Sequence, residues 1–275
     1  MKPVRSAAGV TPARTGAGRW GDLGVRLASG LVLAGLGVLA VAVGGGVFLA
    51  MTVLIFAVMA WELAGMTDEP PNPTTRLAIA VLAGAGLYIS EWGGVALVGL
   101  LLAPLAMAAT PRRDRWLMAA YAFAMMGAAF GFVVLDRHGA VIVVWLVCLV
   151  VASDVCGYFA GRMIGGPKFW PAISPKKTWA GTVAGWIAAA VLGFGFALWQ
   201  GRGWGLILIS PLVAFAGQLG DIAESWLKRR AGVKDASSLI PGHGGVLDRF
   251  DALIGAVLAV RLLELVLPLP LGLAG

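Results

Sequence analysis

The sequence predicts an all-α protein, a polytopic integral membrane bundle of about nine transmembrane helices with a cytoplasmic amino terminus. Three observations lead there. Of the 275 residues 59% are hydrophobic and only 13% charged, with a mean hydropathy of +0.88. That is too little charge to cover the surface of a soluble protein of this size. The apolar residues also fall in runs long enough to cross a bilayer. Finally, with the amino terminus inside, 18 of the 21 Lys and Arg residues lie on the cytoplasmic side. Only Arg137 and Arg202 lie outside and Arg261 falls within the last span, the asymmetry expected of membrane topology.

Met1–Arg26 is polar and basic, carrying Lys2, Arg5, Arg14, Arg19 and Arg26. It lacks the short apolar core close to its basic residues that a signal peptide has, and reads as a cytoplasmic tail. Nine apolar segments follow, at about 27–43, 47–65, 76–90, 92–109, 116–135, 140–161, 179–199, 204–224 and 251–268. Gly44-Gly45-Gly46 and Glu91-Trp92 are the weakest separators, and merging one pair would give eight spans. About half of the 40 glycines sit inside these runs, and spacings such as Gly157-x3-Gly161-x3-Gly165 and Gly181-x3-Gly185 serve close helix packing in lipid. Cys148 and Cys156 share one segment, ~12 Å apart along a helix axis, too far for a disulfide and without a metal-ligand spacing to any histidine. The net charge of +7 fits a face on anionic lipid better than a nucleic-acid partner. Residues 27–135, whose Glu62 and Glu91 lie near segment boundaries, read as a scaffold of about five helices. Residues 136–275 read as a catalytic unit of about four helices and their cytoplasmic loops. No internal repeat favours an inverted-repeat transporter.

The carboxylates of that second unit point to a metal site. Asp154 lies well inside the sixth segment, where a charge is costly and implies a site, an ion path or a structural partner such as an arginine. Asp221 and Glu224 are spaced i, i+3 near the end of the eighth segment, and Asp248 and Asp251 repeat the spacing where the ninth begins. Each pair projects from one helix face. A helix amino terminus accounts for acids at 248 and 251, but not for Asp221 and Glu224 at a carboxyl end. Two such pairs form a cage for a hard cation such as Mg2+, which in turn would neutralise phosphates.

Two loops read as phosphate cradles. In Ser174-Pro175-Lys176-Lys177-Thr178, Ser174 or Thr178 caps the next helix while Lys176 and Lys177 place charge over its amino end. Plain membrane topology explains the lysines but not their order with Ser, Pro and Thr. In Pro241-Gly242-His243-Gly244-Gly245 the glycines permit close backbone approach, and His243 could donate to phosphate or move a proton. A tight turn accounts for these glycines equally well; Lys228, Arg229, Lys234 and Arg249 nearby favour function. There is no Walker A loop and no GxGxxG behind a strand, so soluble nucleotide folds are excluded.

Taken together, Ser225-x-Leu227-Lys228-Arg229-x4-Lys234-Asp235-x-Ser237-x2-Ile240-Pro241-x-His243-Gly244-Gly245-Val246-x-Asp248-Arg249-Phe250-Asp251 resembles the full signature of the phosphatidate cytidylyltransferases, or CDP-diacylglycerol synthases. Ser174–Trp179 resembles a second block of that family, and Asp154–Gly161 its Asp-x-x-Ala-Tyr-x-x-Gly region. Ala180 stands where the family usually has Glu, and Gly157 where Ala is common. Over the first 130 residues the likeness is one of hydropathy only. The resemblance implies transfer of CMP from CTP to phosphatidic acid, giving CDP-diacylglycerol and pyrophosphate, with Mg2+ required and a second cation such as K+ associated with the metal. It also implies a site facing the cytoplasm from the cell's inner membrane, with membrane lipid, and a second copy in a homodimer, as partners. On this reading Asp221, Asp248 and Asp251 hold Mg2+, with Glu224 and Asp154 in support. Ser174, Lys176, Lys177 and Thr178 face the nucleotide phosphates with Gly244 and Gly245, while His243, Lys228, Arg229 and Arg249 serve the reaction and the lipid headgroup. A CTP-dependent lipid-alcohol kinase is the alternative, and an ion transporter the non-enzyme one.

Overall fold

Each of the nine apolar segments becomes helix in the computed structural model, which describes residues 17–201 and 204–267. The start of the basic tail and Arg202 lie outside these residues. The α-helices are α1 Ala17–Val43, α2 Gly45–Thr67, α3 Pro73–Ser90, α4 Leu102–Ala109, α5 Arg115–Arg137, α6 Ala140–Met163, α7 Trp179–Gln200, α8 Gly205–Ala231 and α9 Leu247–Glu264. Five of them (α2, α5, α6, α7 and α8) are long and apolar enough to cross a membrane. The chain is an integral membrane protein.

Local chemistry sets the boundaries. Gly44, at φ 65°, separates α1 from α2, so the weak glycine separator is a real break. Asn72 caps α3 by accepting from the Thr75 amide at 3.1 Å, with Pro73 in the first turn. Thr178 caps α7 by accepting from the Gly181 amide at 3.2 Å. Both cysteines are free.

Five expectations change. Helix α1 begins at Ala17, ten residues before the first apolar segment, so the last ten tail positions are helical. The fourth segment is not one α-helix: a 3-10 stretch over Gly94–Leu101 precedes α4. Pro104 has no amide to bond the carbonyl four residues back, which stops the α-helix from extending in that direction. Gly86 and Gly99 also meet backbone to backbone there, a Cβ on Gly86 lying 2.1 Å from the Gly99 oxygen. The 165–178 loop is not wholly irregular, for β1 Lys168–Trp170 and β2 Ser174–Thr178 form a small antiparallel hairpin pairing Lys168 with Thr178. Prolines at 167, 171 and 175 deny this loop a helix, and Phe169 packs edge-on to Trp179 at 4.7 Å. Helix α8 continues seven residues beyond the predicted end at 224, because Lys228, Arg229 and Arg230 favour its carboxyl terminus and Gly232, at φ 78°, supplies the stop. Helix α9 starts at Leu247 rather than 251, taking Asp248 into its first turn.

The buried core runs through α2, α5, α6 and α9, with Met59, Leu63, Met125, Trp145 and Val257 fully enclosed. The basic loops gather at one end. Asp68, after α2, pairs with Arg76 at 3.1 Å and Arg112 at 3.6 Å. Burial lowers the Arg112 guanidinium from its ordinary value, and the Asp68 charge opposes that shift. Asp114, before α5, accepts two hydrogen bonds from Arg230 of α8, at 2.6 and 2.8 Å. At the opposite end Arg137 pairs with Glu91, and Asp136 accepts from the Gly45 amide at 3.0 Å.

Candidate metal and phosphate site

Helices α8 and α9 meet at glycines, and that contact builds the site. A Cβ on Gly220 would lie 2.5 Å from the Asp251 carbonyl oxygen, and one on Gly255 2.2 Å from that of Ala216. No side chain fits there, so the backbones touch. This closeness sets Asp221 and Glu224 of α8 against Asp251 of α9, with one carboxylate oxygen from each within 4.8 Å of the others. Glu224 is fully buried, with Oε2 paired to Lys228 Nζ at 2.5 Å and Oε1 without a hydrogen-bond partner. The Tyr121 hydroxyl, brought by α5 into the field of the same carboxylates, is also buried without one. Three converging carboxylates, with Glu224 Oε1 left unbonded, suit a hard divalent cation.

The four carboxylates at 221, 224, 248 and 251 are therefore not two equivalent pairs. Asp248 lies outside the compact cluster and accepts from Lys228 Nζ at 2.5 Å, the Gly245 amide at 2.7 Å and the Ala236 amide at 3.0 Å. Lys228 bridges Asp248 and Glu224, 2.5 Å from each. It is buried, so its charge is spent inward and not on the lipid interface. The dipole argument for Asp221 and Glu224 also weakens, because both sit well before the true end of α8.

Asp154 lies across a groove between α6 and α7. The cavity there, of about 580 Å³, is lined by Asp154, Tyr158, Lys176, Lys177, Gln218 and Asp221 among others. Lys177 pairs with Asp221 and donates to the Gln218 carbonyl at 3.4 Å. The groove wall is again glycine: a Cβ on Gly181 would lie 2.5 Å from the Gly157 oxygen. Gln218 is held by its amide, which accepts from Trp186 Nε1 at 3.1 Å and donates to Ser153 Oγ at 3.2 Å. Ser174 starts β2, and Lys176 is exposed beside the groove.

The glycine loop is internally bonded. His243 and Gly244 close a turn on Ile240, the His243 amide donating to the Ile240 oxygen at 2.9 Å and the Ile240 amide to the Gly244 oxygen at 2.8 Å. Gly244 needs its glycine for a φ of 82°. The His243 ring nitrogen Nδ1 lies 2.9 Å from Ser29 Oγ of α1. Arg249 donates from Nε and Nη2 to the His243 carbonyl, at 3.0 and 2.5 Å. Arg229 is exposed and donates to the Val233 oxygen at 3.2 Å.

Glu62, Tyr121, Gln218 and Ser29 all touch this region and were not singled out from the sequence. Glu62, Tyr121 and Gln218 carried the same faint signal, a lone polar residue in an apolar helix. Glu62 is not a boundary residue of a scaffold: it is buried and accepts from Ser237 Oγ and the Val246 and Leu247 amides.

A family model described as the cytidylyltransferase family matches residues 24–266. The likeness thus includes the amino-terminal half, beyond hydropathy. A phosphatidate cytidylyltransferase of Brucella suis is 34% identical over 245 residues, covering 86% of this chain and 90% of that protein. Proteins of the same name are 42% identical over 134 residues in Helicobacter pylori (48% of this chain, 50% of that protein) and 43% over 127 residues in Haemophilus influenzae (44% of each).

Proposed function

The chain belongs to the cytidylyltransferase family, and from that premise we propose that the α8–α9 site transfers CMP from CTP to phosphatidic acid. The enzyme is a nucleotidyltransferase of phospholipid biosynthesis. The observation that carries the assignment to this site is the carboxylate cluster of Asp221, Glu224 and Asp251 beside Lys177 and Lys228.

The phosphatidate monoester has a second pKa near 6, so at neutral pH it is largely a dianion and needs no strong base. Its oxygen bonds to the α-phosphorus of CTP as the α–β bridging bond breaks and pyrophosphate leaves with the electron pair. The barrier lies in bringing two polyanions together in line. Asp221, Glu224 and Asp251 would hold Mg2+, which when bound supplies charge neutralisation at the phosphates. Asp154, facing Asp221 across the groove, is the place for a second cation such as K+. Lys177 and Lys176 reach the groove from β2 and would take the β- and γ-phosphates. Asp248 orders the loop and orients Lys228. Arg229 and Arg249, both exposed, are the residues left for the lipid headgroup.

Nine spans with the amino terminus inside fit the positions of the basic loops. These share the end that holds the site, where Asp114 and Arg230 join two of them, so the site faces the cytoplasm from a bacterial inner membrane.

CTP labelled at the α-phosphate, with phosphatidate and with or without Mg2+, tests this reading. Label should enter lipid only with Mg2+. Label entering lipid only from the γ-phosphate would make the protein a kinase instead. Lys177→Ala should raise the CTP concentration at half-maximal rate about tenfold or more, as loss of one charged contact does. An unchanged CTP dependence in a titration would remove Lys177 from the nucleotide site.

A further inference from the structure

Glu62 is a buried acid that the reaction above does not use and that, unlike Asp68, pairs with no arginine or lysine among the described residues. It sits near the carboxyl end of α2, 1% exposed, in a helix whose flanking residues Met59, Ala60, Leu63 and Ala64 are fully buried. A carboxylate there needs strong compensation, and no cation supplies it among the described residues. Its partners are neutral donors. Oε1 accepts from Ser237 Oγ at 2.6 Å and the Val246 amide at 2.9 Å, and Oε2 accepts from the Leu247 amide at 2.6 Å. The two amides open α9, so the carboxylate sits on the positive end of that helix. It acts as the amino-terminal cap that α9 lacks locally, for Val246 makes no side-chain cap of its own.

The contact also explains a glycine. A Cβ on Gly245 would lie 2.7 Å from Glu62 Oε1 and 3.0 Å from its Cδ. Gly245 is thus needed for the approach of Glu62, and its own amide is already taken by Asp248. A phosphate has little left to bind at that amide.

We propose that Glu62 is a positioning residue, a carboxylate of α2 that clamps the start of α9 and the Ser237 loop and so fixes Asp248 and Asp251. The lever is short. Asp248 follows Leu247 directly, and Asp251 lies one turn further along the same helix. Loosening Val246 and Leu247 lets α9 rotate or fray, which swings Asp251 away from Asp221 and Glu224 and lets Asp248 drop the Ala236 and Gly245 amides. The proposal rests on the transferase reading for its kinetic arm only.

Glu62→Gln is the decisive variant because it keeps shape. Both oxygens of Glu62 accept, so the amide nitrogen of Gln must face a donor whichever way it turns. With wild-type insertion in membranes, Glu62→Gln should lower kcat about tenfold, leave the KM for CTP within about twofold, and raise the Mg2+ needed for half-maximal rate by about threefold or more. A merely structural defect would reduce active protein without moving the Mg2+ response. Independently of turnover, limited trypsin digestion in detergent should cut at Lys234 about tenfold faster in the variant, since loss of the clamp opens the loop. Glu62→Ala should match Gly245→Ala, with the double variant no worse than either.

Unchanged kinetics and Mg2+ response in Glu62→Gln, whatever the cleavage rate, overturn the proposal. So does an unchanged cleavage rate. A wild-type protein that moves no label into lipid defeats the transferase reading instead, and the Lys234 cleavage rates then still decide whether the clamp exists.

Discussion

Asp251→Asn should abolish CMP transfer, by about 10³-fold or more, the scale seen when a group stabilising transition-state charge is removed. Asp251 is the one member of the Asp221, Glu224 and Asp251 cluster supplied by α9, so losing its charge leaves the cation held from α8 alone. The same change should not unfold the protein. Without a metal ion, three carboxylates held within 4.8 Å repel one another, offset in part by Lys177 at Asp221 and Lys228 at Glu224. Asn removes the charge of Asp251, which has no lysine of its own among the described residues, at nearly constant volume. The metal-free variant should therefore melt higher than metal-free wild type. Wild type should gain stability on adding Mg2+, by about 2.7 kcal/mol at a hundred times its Kd, and the variant much less. Thermal melts with and without Mg2+, beside the labelled-CTP assay, check both parts. Turnover with a wild-type Mg2+ response would remove Asp251 from the metal site.

Gly255→Ala should be nearly as damaging without touching a charged group. The added methyl would stand 2.2 Å from the Ala216 oxygen and 3.2 Å from the Gly220 Cα, so α8 and α9 must part. Overpacking of this kind costs about 1–3 kcal/mol. The larger effect is on geometry, because a displacement of ~1 Å at a reacting centre costs roughly 10²-fold in rate. The variant should thus lose about 10²-fold in kcat and need more Mg2+, while Gly35→Ala on α1, where no atom lies within 4 Å of the new methyl, leaves both unchanged. Equal rates for Gly255→Ala and wild type would mean that the helix contact does not set the cluster.

Much of this was legible in the residues. Hydropathy located the nine helices because each apolar run is long and bounded by polar or glycine residues, and Thr178 was a readable cap. The i, i+3 carboxylates of α8 and the Asp251 that faces them were visible because spacing fixes the face of a helix. What hydropathy hid was the polar end of α8: a last turn of Lys228, Arg229 and Arg230, favoured by the helix dipole, carries no apolar signal. Spacing also could not rank Asp248 against Glu224, since the difference lies in partners. Asp248 spends its oxygens on Lys228 and two amides, while Glu224 gives Oε2 to Lys228 and keeps Oε1 unbonded. Glu62 was passed over because its partners lie 175 and more residues away, and no local pattern announces such a contact.

That distance along the chain has a cost in time. Glu62 enters the membrane with α2, yet Ser237 is made 175 residues later and the Leu247 amide 185 residues later. At ~5–20 residues per second the interval is roughly ten to forty seconds. Throughout that wait the nascent chain carries an acid in an apolar helix without its eventual donors. The amino-terminal helices cannot settle into their final arrangement until the last helix arrives. A chain cut short before Ser237 leaves the acid stranded for good, and quality control in the membrane should clear it faster than the full-length protein.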